Sequence, residues 1–183
     1  MTDVLILDLE TTGKLDPKHR IIEFAGRVCN LESGEEKSNL LLRLNPERNI
    51  DAKAFAVHGI ALDDLKGCPT IEASLSTISE LLNSVDLVVA HNGGGPAYEQ
   101  GFDYPFLKME YERIGEPMPE KPWFDTMVHG TFATDLGKSP SLKELCFALD
   151  VDYDDSLAHK GDYDTAVLRD CFFNGLRWKW YKL

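Results

Sequence analysis

The sequence lacks long hydrophobic segments, and it has far fewer basic than acidic residues. No apolar run approaches the ~20 residues that a membrane-spanning helix needs. The sequence opens with no positively charged, apolar, small-residue leader, and strand-forming residues already begin at Val4. No secretory signal peptide is therefore expected. The 19 basic and 31 acidic residues give a formal net charge of −12. Because proteins that coat duplex nucleic acid are usually basic, this charge argues against that class. It suggests a small footprint on any nucleic acid substrate, or a partner that delivers the substrate.

Cysteines are few and widely spaced. Cys29, Cys68, Cys146 and Cys171 form no C-x-x-C pair, so the usual spacing of zinc and redox motifs is missing. We expect small, buried, apolar thiols in a reducing, cytoplasmic compartment, with a zinc site as the alternative. The hydrophobic content of 43% and charged content of 27% are typical of a soluble globular protein. A chain of 183 residues is long enough for one domain with a sizeable core.

The first 44 residues predict three antiparallel strands. Residues 4–10 form an apolar run that is interrupted only by Asp8 and Glu10. Residues 20–29 and 39–44 follow as further strand-like segments, each after a short turn-forming stretch. Because short connections can join only antiparallel neighbours, these strands are expected to form a meander.

The rest of the chain alternates helical and strand-like segments. The predicted elements are a short helix over 53–57, a helix from Thr70, a strand over 86–90, a helix over 102–114, a strand edge at 123–126, a helix opened by the capping box of Ser141 and Glu144, and a last helix from about Asp162. A meander followed by such an alternation predicts an α/β fold, with helices on both faces of a mixed sheet.

Asp8 and Glu10 lie near the end of the first strand. Side chains alternate in an extended chain, so the two acids share one face with Val4 and Ile6. Two carboxylates this close repel each other and are costly to bury unless a cation neutralises them. Mg²⁺ and Mn²⁺ prefer such oxygen ligands, and ligands of α/β sheets bind beyond the carboxyl ends of the strands. The pair indicates a divalent-metal site, with a solvated strand end as the alternative.

Four blocks, in order along the chain, carry a family resemblance. They are Asp8-Leu9-Glu10-Thr11-Thr12-Gly13, then Val57-His58-Gly59-Ile60, then Leu87–Asn92 with Phe102-Asp103-Tyr-Pro-Phe-Leu, and last His159-Lys-Gly161-Asp-Tyr-Asp164. Together they resemble the DEDDh 3′–5′ exonuclease superfamily, most closely its proofreading branch, which is DnaQ-like or polymerase III epsilon-like. The resemblance spans essentially the whole chain. It implies one exonuclease domain over residues 1–183 with the ribonuclease H-like fold, whose mixed sheet has five strands.

The resemblance also implies the chemistry. A metal-dependent 3′–5′ exonuclease would release nucleoside 5′-monophosphates from single-stranded or frayed DNA ends. Asp8, Glu10, Asp103 and Asp164 would hold two divalent ions, Mg²⁺ or Mn²⁺, and these ions would supply the positive charge that the composition lacks. His159 would act as the general base, a role suited to a side chain that titrates near neutral pH. A polymerase or another replication protein is the expected partner, and no membrane is expected.

The third block departs from the family pattern. Nine residues, 93–101, separate Asn92 from Phe102, where the family usually has two. A Gly-rich loop insertion is therefore expected near the site. The alternative reading of Asp103 is an acid that the positive end of a helix favours, but its F-D-x-x-F-L context matches the family.

The last block offers two acids after His159. On one continuous helix, Asp162 would share a face with the histidine, whereas Asp164 would not. The family places the histidine on a loop before the helix, which makes Asp164 the ligand and Asp162 an acid of the first helical turn.

Five further residues are expected to bind substrate by the same resemblance: Thr11, Thr12, His58, Ile60 and Phe102. A turn role is equally open for the two threonines, and a core role for Ile60. The tail over 177–183 is aromatic and basic. Packing against the core is its default reading, while a stacking surface for nucleic acid or a partner-docking peptide are alternatives.

Three competing functions remain open. The first is the same chemistry on RNA, as in oligoribonuclease-like or RNA-trimming relatives. The second is a non-catalytic binding module, which is disfavoured because all four acids and the histidine are present. The third is an iron oxygenase, whose metal is held by two histidines and one carboxylate. This reading is disfavoured because the sequence offers no second well-placed histidine.

Overall fold

The computed structural model describes residues 2–97 and 100–183. Tyr98 and Glu99, two residues of the expected loop insertion, lie outside the described residues. The strands are β1 Asp3–Thr11, β2 Ile21–Asn30, β3 Glu36–Arg43, β4 Leu87–Ala90 and β5 Trp123–Asp125. The helices are α1 Ala52–His58, α2 Ile71–Asn83, α3 Asp103–Ile114, α4 Thr126–His129, α5 Leu142–Ala148 and α6 Gly161–Arg177. Short 3₁₀ turns occur at Leu62–Leu65, Thr131–Ala133 and Asp135–Gly137.

The five strands form one mixed sheet in the order β3-β2-β1-β4-β5. β1 pairs antiparallel with β2 and parallel with β4, β2 pairs antiparallel with β3, and β4 runs parallel to β5. The predicted meander and the predicted five-stranded mixed sheet are therefore confirmed. The register places Glu10 opposite Glu23, and Asp8 opposite Ala25.

The alternation of β1 divides the core into two layers. Leu5, Leu7 and Leu9 pack in one apolar cluster with residues of α2 and α3. Val4 and Ile6 pack in the other, which α5, α6 and the C-terminal Tyr181 complete. Helices thus cover both faces of the sheet, as the sequence predicted. Asp8 and Glu10 continue the α6-facing side of β1 beyond Ile6, so they emerge where that core ends.

Local signals set the helix ends. Thr70 accepts the N–H of Ala73 at the start of α2, and the Ser141–Glu144 capping box forms both of its hydrogen bonds at the start of α5. Gly59 ends α1 in the left-handed conformation that glycine adopts without strain. These boundaries are those that the sequence predicted.

The C-terminal tail packs back onto the protein, which was its default reading. Tyr181 is buried, and the ring of Trp180 stacks on Phe132 with the ring centres 4.8 Å apart.

All four cysteines are free thiols; three are buried as expected, whereas Cys68 is partly exposed. Within the described residues, no helix combines the length and apolar character needed to cross a membrane.

Candidate active site

The candidate site forms where β1, α3 and α6 meet. Asp8 and Glu10 lie at the carboxyl end of β1. Asp103 is the first residue of α3, which follows β4, the parallel neighbour of β1. Asp164 lies in the first turn of α6, and His159 precedes that helix in a left-handed backbone conformation, with φ +59°. The fold thus gathers acids that are up to 156 residues apart in the chain.

Glu10, His159 and Asp164 form a compact group. One potential ligand atom from each lies within 4.8 Å of the others. Asp164 Oδ2 accepts the backbone N–H of His159 at 2.9 Å. Its other oxygen, Oδ1, is buried and has no hydrogen-bond partner. A buried carboxylate oxygen without a partner is costly and marks a place where a cation would be stabilised.

Asp8 and Asp103 lie beside this group, and the site is strongly acidic. Burial, followed by repulsion from neighbouring carboxylates, raises the pKa of Asp8 to about 8 and that of Glu10 to about 10. The same two causes raise the pKa of Asp103 well above its ordinary value. Burial also raises the pKa of Asp164, although the nearby imidazole of His159 opposes this effect.

The donor set fits divalent cations that prefer oxygen ligands. Among the ion pairs of the described residues, none reaches these four carboxylates, so their charges are not compensated by arginine or lysine. Their side chains supply only oxygen atoms, the ligand type of Mg²⁺ and Mn²⁺. Two cations of this kind would reverse the raised pKa values, because an adjacent positive charge favours the ionised carboxyl.

Asp162 has different surroundings from Asp164. Its Oδ1 accepts hydrogen bonds from the guanidinium of Arg27 and from Asn39 Nδ2, the latter at 2.8 Å. Both partners belong to the β2–β3 side of the sheet. Because α6 begins at Gly161, His159 lies outside the helix, as the sequence interpretation required for Asp164 to face the site.

A cavity of about 500 Å³ opens beside Glu10. Of the five residues expected to bind substrate, Thr11, His58 and Phe102 line it. The hydroxyl of Thr11 already donates to the carbonyl of Gly13 at 2.6 Å. The remaining two residues lie in the interior.

Thr12 and Ile60 do not line this cavity. Thr12 is fully buried; its hydroxyl oxygen accepts the N–H of Arg20 and lies 3.0 Å from the His19 ring. Ile60 packs with Ile22 and Leu65 in a small apolar cluster. Thr12 thus has the turn role, and Ile60 the core role, that the sequence left open as alternatives. Contact of either residue with substrate stays a prediction.

A known protein family matches the part of the chain that carries the site. The model of RNase_T, an exonuclease family, matches residues 5–172, which include all the acids of the site and His159. The chain belongs to this exonuclease family. The resemblance to DEDDh exonucleases that the sequence motifs indicated is thereby confirmed.

Relatives of this exonuclease-family chain include replication proteins. It is 28% identical over 169 residues to a DNA polymerase III PolC-type protein of Mycoplasma genitalium, which covers 92% of this chain but 11% of that protein. It is 27% identical over 180 residues to DNA polymerase III subunit epsilon of Escherichia coli, covering 94% of this chain and 70% of the subunit. The chain thus spans only a small part of its PolC-type relatives.

Solved exonuclease structures share the fold. The nuclease domain of 3′hExo, a DEDDh family member bound to rAMP, superposes with a TM-score of 0.73 at 18% identity. The match covers 96% of this chain and 92% of that domain. At this identity the likeness establishes the architecture and leaves the substrate open.

Two acids near the site had not been singled out from the sequence. Asp125, at the end of β5, accepts the N–H groups of Asn92 at 3.0 Å and Gly94 at 2.9 Å, and so holds the chain that leads into α3. Glu23 interrupts the apolar run of β2 and lies opposite Glu10. An acid inside an otherwise buried strand was the sequence signal for Glu23, but only the strand register reveals its neighbour.

Proposed function

We propose that this single domain, residues 1–183, is a 3′–5′ exodeoxyribonuclease that releases nucleoside 5′-monophosphates from single-stranded or frayed DNA ends. The observation that carries the proposal is the group of Glu10, His159 and Asp164 within 4.8 Å, with a buried, unpartnered oxygen on Asp164. An acid cluster of this kind beside a cavity fits hydrolysis of a phosphodiester at a chain end.

The four carboxylates are assigned as metal ligands. Asp8, Glu10 and Asp164 would hold a first Mg²⁺ or Mn²⁺, Asp8 would be shared with a second, and Asp103 would hold or orient that second ion. When bound, the two ions supply charge stabilisation for the attacking and leaving oxygens of the phosphodiester. The acids would position these ions, while the apolar core behind β1 excludes water from the other side of the carboxylates.

His159 is assigned as the general base. Its imidazole is exposed and belongs to the same group as Glu10 and Asp164, so it can take a proton from the attacking water and pass it to solvent. Its backbone is held by the hydrogen bond to Asp164 Oδ2. The same carboxylate would therefore orient the base and contact a metal ion.

The cavity beside Glu10 is assigned to the 3′-terminal nucleotide. Apolar side chains of Leu15, Val57 and Phe102 form its walls, which suits the face of a base. His58 Nδ1 accepts the N–H of Ile60, so its Nε2 carries the hydrogen; this nitrogen is buried without a partner. We assign it as a donor to an oxygen of the terminal sugar.

DNA is the favoured substrate because the relatives that match most of this chain are named as parts of DNA polymerase III. On the same ground, a polymerase or replication partner in the cytoplasm is the expected setting. RNA is the second candidate, supported by the similar fold of a domain bound to rAMP.

A degradation assay tests the proposal. Single-stranded DNA and RNA of one sequence, each labelled at the 5′ end, are incubated with the protein and Mg²⁺, Mn²⁺ or EDTA. We expect a ladder of products shortened from the 3′ end, formed faster on DNA and abolished by EDTA. Faster shortening of RNA would favour the second candidate. Absence of shortening on both, with binding retained, would favour the non-catalytic module.

A further inference from the structure

Glu23 is a buried acid at the edge of the candidate site. It lies in β2 opposite Glu10, on the face of the sheet that α6 covers, and only 3% of it is exposed. A carboxylate in this position adds negative charge to a site that is already acidic. The cost of this repulsion must therefore be offset by favourable contacts that Glu23 makes elsewhere.

Both oxygens of Glu23 are engaged within the chain. Oε1 accepts the backbone N–H of Gly161 at 3.2 Å, and Oε2 accepts Nε–H of Arg43 at 3.0 Å. Arg43 belongs to β3 and is about half exposed, at 43% of its side chain. Glu23 thus links two strands of the sheet to the first residue of α6.

Gly161 rests directly on the sheet at this point. A Cβ atom added to it would lie 2.7 Å from the Cβ of Ala25 and 3.0 Å from Glu23 Oε1. Atoms cannot pack that closely, so only glycine lets the start of α6 approach the strand enough for the hydrogen bond to form.

Two backbone hydrogen bonds restrain the short segment that carries His159. The backbone N–H of His159 donates to Asp164 Oδ2, and the backbone N–H of Gly161, two residues later, donates to Glu23 Oε1. The left-handed conformation of His159 is uncommon for a residue with a side chain, so its persistence depends on such surrounding restraints. The first restraint connects the histidine to α6, whereas the second connects it to the sheet that carries Glu10.

We propose that Glu23 is a positioning residue: through Gly161 it fixes the start of α6 on β2, and thereby holds His159 and Asp164 against Glu10, while Arg43 holds Glu23 itself. The catalytic part of this inference rests on the proposed exonuclease function. The structural part, the attachment of residues 159–161 to the sheet, does not require any activity.

Hydrogen exchange tests the attachment in the metal-free protein. In Glu23→Leu, the amide of Gly161 should exchange at least about fivefold faster than in the wild type, because its acceptor is gone. Glu23→Gln keeps a carbonyl oxygen for Gly161, and Arg43 can turn to solvent, so protection should be restored. Glu72→Leu, on α2, removes the pair of that glutamate with Arg20 and is the control; it should leave this amide unchanged.

Single-turnover and steady-state kinetics test the consequence. Glu23→Leu should lower kcat by about 10- to 100-fold, because small displacements of catalytic groups cost this much. KM should stay near the wild-type value, since Glu23 does not line the cavity. Glu23→Gln should recover most of kcat. Arg43→Met, a change at an exposed position that should not prevent folding, should lower kcat less than Glu23→Leu.

The outcomes separate the two proposals. A folded Glu23→Leu with unchanged Gly161 exchange and unchanged kcat would overturn the positioning role. A loss of kcat without faster exchange would also overturn it, because Glu23 would then act in the chemistry itself. If the wild type degrades neither DNA nor RNA but exchange responds as expected, the exonuclease proposal fails while the attachment stands.

Discussion

Asp164 and Asp162 are neighbours in sequence with opposite surroundings. Asp164→Asn keeps the size of the side chain but removes the charge that a metal ligand needs. Exonuclease activity should fall by more than about 100-fold, because residues that only orient metal ligands already cost about 10- to 100-fold when they are changed. Asp162→Asn should keep most activity and change stability by less than about 1 kcal/mol, because the Asp162 side chain is 55% exposed and Arg27 keeps its bonds to Glu36 and to the Asp162 carbonyl. Steady-state rates and thermal unfolding of both variants check this.

The reverse pattern would contradict the assignment of Asp164. It would mean that Asp162 turns toward the ions and that the hydrogen bonds from Arg27 and Asn39 give way in solution. Equal losses in the two variants would instead indicate that the whole start of α6 is disturbed.

His159→Ala should slow the chemical step by about 10²- to 10⁴-fold, the usual contribution of a general base. Binding of Mn²⁺ should survive, because carboxylates hold the ions. At saturating metal, a reaction that needs a deprotonated base should show a wild-type rate that rises with pH, and this rise should vanish in the variant. Single-turnover rates across a pH series provide the measurement. A variant with the wild-type rate and the same pH dependence would show that another group is the base.

At the scale of single residues, the sequence predicted where the acids would be but not what else they touch. Asp8, Glu10, Asp103 and Asp164 converge as expected, because strand alternation and the helix start place them. Thr12 and Ile60 lie in the interior instead of lining the cavity. Their partners come from residues 19–22 and from Leu65, and a single sequence does not reveal such contacts.

The contact between α6 and β2 permits a prediction about a whole element. Gly161→Ala should push the start of α6 away from Ala25, costing about 1–3 kcal/mol as overpacking does. It should also lower kcat by about 10- to 100-fold, because His159 and Asp164 move with the helix. Gly175→Ala is the control: Gly175 lies in the same helix, far from the site, and an added Cβ would meet the ring of Tyr181.

The control should lose stability but keep kcat. Urea unfolding and steady-state rates of the two variants separate these effects. If both variants lowered kcat equally at matched stability, the position of the helix start would not matter for the reaction.

Elements with local signals were predicted well. The capped helices and the meander depend on residues within a few positions of one another, such as Thr70 with Ala73. The arrangement around Glu23 was not predicted, because it depends on strand register and on contacts 138 residues apart. The loop insertion over 93–101 was expected from the spacing of the motifs, whereas the contact of Gly94 with Asp125 was not, because Asp125 belongs to another strand.

The whole molecule should become less stable with rising pH when it is free of metal. The pKa of Asp8 rises from 3.8 to about 8, and that of Glu10 from 4.5 to about 10, so the folded state keeps protons that the unfolded chain has released. Each carboxyl therefore lowers the free energy of unfolding as the pH rises from its unfolded pKa toward the raised value. Melting temperatures from pH 5 to 9 in EDTA should fall accordingly.

Saturating Mn²⁺ should oppose this fall, because ions that bind only the folded state stabilise it, by about 2.7 kcal/mol at 100 times Kd. The increase in melting temperature on adding Mn²⁺ should therefore grow with pH. Asp8→Asn should show a shallower decline in EDTA and little response to the ion. A metal response that is the same at every pH would contradict the coupling of these carboxylates to stability.

The two-faced packing of β1 restricts how this protein can vary in length. Substitutions along the strand exchange one side chain at a time, but an insertion or deletion of one residue would reverse every later position. The carboxylates would then point into the layer of α2 and α3, and leucines would point toward the site. Length changes are accommodated instead between Asn92 and Phe102, where this chain carries nine residues and the family pattern has two. In genetic terms, a missense change in β1 alters one position of the core or of the site, whereas a change of length alters every later position of the strand; the loop that precedes α3 is open to insertion.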